Sequence, residues 1–97
     1  MKKYSVFFTV LLVISCVKAP IANFTFTDNQ MAQSNVLFTN TSEYATAFSW
    51  NFGDNSTSSD ISPTHAYLKP GSYSVELTAY GENENISTSK IITIIGT

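Results

Sequence analysis

Arginine is absent from this chain of 97 residues, and lysine occurs only at Lys2, Lys3, Lys18, Lys69 and Lys90. Seven acids outnumber those five cations, which gives a formal net charge of −2. Phosphate contacts need a basic surface, so the composition argues against a nucleic-acid partner and against a polybasic membrane patch. Cysteine appears once, at Cys16, and one thiol cannot form an internal disulfide. Histidine also appears once, at His65, so the chain lacks the three or four Cys and His ligands of a zinc site. It contains no His-Glu-x-x-His, no Gly-x-Ser-x-Gly elbow and no phosphate-cradling glycine loop. Beyond Pro20 no stretch sustains a 3.6-residue apolar period, which leaves no amphipathic helix to build a fold around.

The N-terminus carries a different pattern. Met1-Lys2-Lys3 is a short basic start, and Tyr4 to Ile14 is an uncharged, mostly apolar run of eleven residues. A membrane span needs ~20 such residues, so the run suits the core of an export signal. It ends in "VISC", which resembles the bacterial lipobox. That resemblance implies a lipoprotein signal peptide at 1–15 and cleavage behind Ser15. Cys16 would then be lipidated, and 16–19 would form a short tether. The alternative is an ordinary signal peptide cut near Ala19, with Cys16 an incidental member of the apolar run. Two or more acyl chains, at ~0.8 kcal/mol per buried methylene, would anchor the mature chain stably. Cleavage leaves Lys18, Lys69 and Lys90 against seven acids, a formal net charge of −4. Val17, not an acid, follows the cysteine. The expected location is therefore the bacterial cell envelope, lipid-anchored at the outer membrane.

From Pro20 onward the apolar period is two. "NFTFT" alternates Phe24 and Phe26 with threonines, and "NVLFTNTS" puts Val36 and Phe38 on one face. "AFSWNF" aligns Phe48, Trp50 and Phe52, and "SYSVELTAY" aligns Tyr73, Val75, Leu77 and Ala79. The last run, "SKIITIIGT", is apolar on both faces, so either Ile92 and Ile94 or Ile91 and Ile95 point inward. Turn-rich segments separate these runs, and the pattern predicts strands at 22–27, 35–40, 46–52, 64–68, 72–80 and 86–95, with a short one near 57–61. The expected fold is all-β, an immunoglobulin-like antiparallel sandwich of about seven strands spanning 20–97. Pro70-Gly71 makes a turn, and Tyr73 is placed like the tyrosine corner that opens the sixth strand of such sandwiches.

The segments "FTF", "VLFTNTS", "FSWNFGD", "SPTHAY" and "PGSYSVELTAYG" together resemble the polycystic kidney disease (PKD) domain. Its most recognisable feature is Trp-Asp-Phe-Gly-Asp-Gly followed by Pro-x-His-x-Tyr and Gly-x-Tyr-x-Val. The resemblance covers about Pro20 to Ile95. Asn51 stands where the family usually has Asp, and Asn55 where it usually has the second Gly. Both keep a turn-compatible polar residue. The resemblance implies an extracellular module for protein–protein or protein–carbohydrate contact, often appended to larger surface proteins or enzymes; the missing catalytic motifs make an enzyme unexpected.

Most of the chain's suspicious chemistry lies in "WNFGDNSTSSDISPTHAY", residues 50–67. An EF-hand loop starting at Asp54 would need Gly and Glu where the chain has Ser59 and His65, so only a loose calcium contact from Asp54, Asn55 and Asp60 is conceivable. A sandwich this small has little room for a cleft that would tune a carboxylate pair for acid–base work. The structural reading accounts for each residue: Trp50 and Phe52 plug the core, Gly53 and Asp54 turn the chain, and His65 and Tyr67 share one face of a strand. Gly71 and Tyr73 complete the set. Tyr44 and Tyr80 are the outward aromatics available to stack on a sugar or protein partner. With a short tether, the loops around Asp54 to Asp60 and Lys69-Pro70 would face away from the membrane. Two functions follow: a lipid-anchored binding module, or a structural spacer or truncated remnant of a larger multidomain surface lipoprotein. No cofactor is expected.

Overall fold

The computed structural model describes residues 18–27 and 30–96. The leader at 1–15, the lipobox cysteine Cys16 and Val17 lie outside the described residues. Among the described residues seven strands form: β1 (Phe24–Phe26), β2 (Asn35–Asn40), β3 (Ala47–Asn51), β4 (Thr57–Ser58), β5 (Thr64–Ala66), β6 (Gly71–Tyr80) and β7 (Asn85–Ile94). They pair into a three-stranded sheet, β1-β2-β5, and a four-stranded sheet, β4-β3-β6-β7, each antiparallel throughout. The fold is the immunoglobulin-like sandwich that the period-two pattern predicts.

The alternation builds the core directly. Phe24, Val36 and Phe38 from one sheet meet Trp50, Val75, Leu77, Ile92 and Ile94 from the other, and all are buried. Trp50 sits at the centre, its ring 5.1 Å from that of Phe24 in an edge-on contact and 5.5 Å from that of Phe38. Such tilted aromatic pairs add about 0.5–1.5 kcal/mol each beyond the area they bury. The polar tips inside this core are satisfied: Trp50 Nε1 donates to the Asp60 carbonyl at 2.9 Å, and the Tyr67 hydroxyl donates to the Phe52 carbonyl at 2.8 Å.

Two features of the sheets go beyond the sequence pattern. The doubly apolar last strand turns Ile92 and Ile94 inward and leaves Ile91 and Ile95 exposed, because the β6–β7 register sets Ile92 opposite Tyr73 and Ile94 opposite Gly71. The short strand expected near 57–61 pairs with β3 and not with β5, so it extends the four-stranded sheet. The cause is local. The Phe52 N–H donates to the Ser56 carbonyl at 3.0 Å, and Gly53 and Asn55 take φ of 86° and 72°, which sends the chain straight back along β3.

Strand order fixes which loops share an end. Ala47 pairs with Tyr80 and Phe24 with Asn40, so the entry to β1, the β2–β3 loop and the β6–β7 loop cluster together. Gly71 pairs with Ile94, and the β3–β4 turn and the β5–β6 loop lie at the opposite end. At ~3.4 Å per residue, the ten residues of β6 hold the two ends roughly 30 Å apart.

Candidate functional site

The end that carries the β3–β4 turn and the β5–β6 loop, called distal because the chain enters β1 at the other, proximal end, holds the residues that looked most like chemistry. Asn51 Oδ1 accepts from the Gly53 N–H at 3.0 Å and Asp54 Oδ1 from the Ser56 N–H at 3.1 Å, two successive side-chain-capped turns. Asn51 therefore supplies the acceptor that an aspartate would, and Asn55 takes the left-handed backbone for which a glycine would serve. Gly53 itself is under a sharper constraint, since a Cβ there would lie 2.6 Å from the Ser74 carbonyl oxygen.

Asp54 turns its other oxygen to His65, whose Nε2 donates to Oδ2 at 2.7 Å. Burial acts to raise the Asp54 carboxyl, but the hydrogen bond and charge of His65, with the donation from Ser56, outweigh it and hold the carboxyl below its ordinary value. The His65 ring lies flat on Phe52 with centroids 4.2 Å apart, and meets Tyr67 edge-on at 4.7 Å. Burial, with the nearby charge of Asp54 and then Tyr73, pushes the Tyr67 phenol upward. The Asp54–His65 and Tyr67–Phe52 hydrogen bonds thus hold the β3–β4 turn against β5.

That arrangement decides what the cluster can do. Both Asp54 oxygens are engaged inside the fold, Asn55 is exposed, and the Asp60 carbonyl is held by Trp50. Among the described residues no group of three or more His, Cys, Asp or Glu could hold a metal. The adjoining pocket, lined by Asp54, Leu68, Lys69 and Tyr73, measures about 190 Å³. Small-molecule sites run from ~300 Å³ upward, so this one is a foothold for a side chain, not a substrate cleft.

The tyrosine corner forms as its spacing predicts: the Tyr73 hydroxyl donates to the Lys69 carbonyl at 2.7 Å and fixes the β5–β6 loop. Gly71, at φ 149°, starts β6 in a conformation that side chains rarely adopt. Beside them Leu68 is 75% exposed, a large apolar side chain presented outward on a pinned loop. Leu68 falls inside the strand expected at 64–68, on the face opposite His65 and Tyr67, but β5 ends at Ala66 and Leu68 stands on the loop beyond it.

The candidate aromatics sit elsewhere. Tyr80 is half-buried on the outer face of the four-stranded sheet, and its carbonyl accepts from the Thr46 N–H at 2.9 Å, which places it at the proximal end. Tyr44 occupies the β2–β3 loop at that same end and is 51% exposed. Lys90 was also missed: in register opposite Val75, it points inward, donates to the Phe24 carbonyl and lies over the Phe24 ring, 5.1 Å from its centroid. Its parity with Ile92 and Ile94 was the available signal.

Comparison with known proteins agrees with this architecture. The PKD1 domain of Vibrio anguillarum Epp is 28% identical with a TM-score of 0.71, over 82% of this chain and 98% of that one. A structure from a study of carbohydrate-binding modules of the β-sandwich superfamily is 27% identical with a TM-score of 0.75, over 82% of this chain and 36% of that one. Collagenase ColA of Bacillus cereus is 53% identical over 32 residues, which are 33% of this chain and 3% of the collagenase. The chain thus spans a small part of that curated relative. Residues 17–95 match the model of the PKD domain, and the chain belongs to the PKD domain family.

Proposed function

We propose that this chain is a lipid-anchored extracytoplasmic binding module that takes a protein or carbohydrate partner through its distal loops. The observation that carries the reading is Leu68, 75% exposed beside the pocket of Lys69 and Tyr73, on a loop that the tyrosine corner holds rigid. An exposed apolar anchor on a preorganised loop meets a partner without the cost of ordering it first. The neighbour from a study of carbohydrate-binding modules, matched over 36% of its length, supports a glycan as one class of partner. The "VISC" sequence at Cys16 supports the anchor, and the match to part of a collagenase supports a place outside the cytoplasm. A second reading, a spacer within a larger surface protein, draws support from the 3% of the collagenase that the matched segment represents.

The test is retention of the mature chain on insoluble polysaccharides and on envelope protein. Because Ile94 lies opposite Gly71, β7 ends at the distal end, so detection should use an antibody and no tag appended after that strand. Saturable retention that is lost with Leu68→Ala and Lys69→Ala together, and kept with Tyr80→Ala, is the expected outcome. Loss with Tyr44→Ala or Tyr80→Ala while the distal variants still bind would refute the distal surface. No retention at all by the folded chain would favour the spacer.

A further inference from the structure

At the proximal end the backbone is strained around one side chain. Tyr44 has φ of 60°, a left-handed conformation that is a genuine outlier for a bulky residue. The core does not use its ring, which is half exposed. The loop is nevertheless held firmly, since Ile21 and Glu43 exchange both of their backbone hydrogen bonds at 2.9 Å. Ile21 beside it is itself 48% exposed, and Lys18 lies with its Nζ 5.4 Å from the Tyr44 ring centroid. Pro20 packs under this group against Gly81, where an added Cβ would meet the proline ring at 2.9 Å. An amphipathic aromatic, an aliphatic and a lysine are thus clamped together at one tip of the sandwich.

The length of chain leading into this tip says what it faces. Only Val17 separates Lys18 from Cys16. At ~3.3–3.6 Å per residue, Lys18 can stand no more than roughly 7 Å from an anchored Cys16. Tyrosine and lysine side chains favour that depth, with the apolar part toward the hydrocarbon and the polar tip in water. We propose, resting on the lipid-anchored reading above, that Lys18, Ile21 and Tyr44 form a seat in the headgroup layer of the bilayer and hold the sandwich upright, with its distal loops outward. Charge selects the lipid. Exposed Glu43, Glu82 and Glu84 share this end with Lys18, so the seat takes zwitterionic headgroups and is repelled by anionic ones.

The experiment uses the full chain, processed in its host and reconstituted into phosphatidylcholine vesicles containing brominated acyl chains, which quench tryptophan at short range. Tyr44→Trp reports on the seat and Leu68→Trp on the distal end, each against the constant background of buried Trp50. Mass spectrometry of the N-terminal peptide and flotation with the vesicles are read in parallel. The added Tyr44→Trp emission should lose about half or more of its intensity while that of Leu68→Trp is unchanged, and replacing about a third of the lipid with phosphatidylglycerol should weaken the quenching. Equal quenching of the two variants in an acylated, co-floating chain overturns the seat and leaves the anchor standing. Quenching that persists or grows with anionic lipid overturns the charge selection. An unmodified Cys16 overturns the anchor and the seat with it.

Discussion

Gly53→Ala isolates the turn on which the distal end depends. Two costs add. A non-glycine residue at φ 86° is strained by about 1–2 kcal/mol. The new Cβ also falls 2.6 Å from the Ser74 carbonyl, well inside the 3.4 Å at which ordinary contact begins. Ser74 sits in β6, one of the two middle strands of the four-stranded sheet and in register with Ile91 of β7, so it cannot withdraw without disturbing that sheet. Overlap against packed backbone adds about 1–3 kcal/mol. A loss of about 2–5 kcal/mol is a large share of the ~5–15 kcal/mol that holds a domain folded. Urea unfolding followed by Trp50, the only tryptophan and fully buried, reads it directly. With a urea dependence of about 1–1.5 kcal/mol per molar, the midpoint should fall by about 1.3–5 M, and at the upper end the variant is unfolded in buffer. Asn55→Gly in the same turn, which relieves a left-handed asparagine, should leave the midpoint within about 0.5 M of the parent. A Gly53→Ala midpoint within that same margin would refute the argument that Ser74 and the backbone angle demand glycine.

Two further outcomes follow from the polar groups. Because the folded Asp54 carboxyl lies below its ordinary 3.8, its contribution is full above about pH 5 and fades as the pH falls through the folded value. Asp54→Asn should therefore cost about 1 kcal/mol at pH 7, discounted for partial exposure, and urea midpoints at pH 7, 5 and 3 should converge on those of the parent as the pH drops. A variant that keeps the full acid slope of the parent would contradict this. Lys90→Met keeps the apolar stem but removes the donor to the Phe24 carbonyl and the charge over the ring, at a cost of about 1–2 kcal/mol. Thermal unfolding should show a drop of about 5–15 °C, and an unchanged transition would mean that water serves Phe24 equally well.

Period-two alternation alone located the strands and most of the core, because a side chain in a strand has only two faces to choose between. Phe24, Phe38, Trp50, Val75 and Leu77 were legible for that reason. Turn chemistry did the same for Gly53, Asp54 and Pro70-Gly71, and tyrosine spacing marked the corner at Tyr73. Where both faces were apolar the pattern was silent, and only pairing with β6 chose Ile92 and Ile94 over Ile91 and Ile95. That same register turned Lys90 inward, against the expectation that a lone charge in a strand faces water. Nor could local sequence say that the short strand β4 would join β3; the end taken by the Asp54 and Lys69 loops was legible only through the expected sandwich topology, and that Leu68 is the apolar side chain presented there was not. Those placements depend on which strands lie side by side, a relation between residues far apart in the chain. Thus sequence by itself determined the sandwich and its central aromatics, and the tertiary structure decided which strand β4 joins and which apolar side chain the distal end presents.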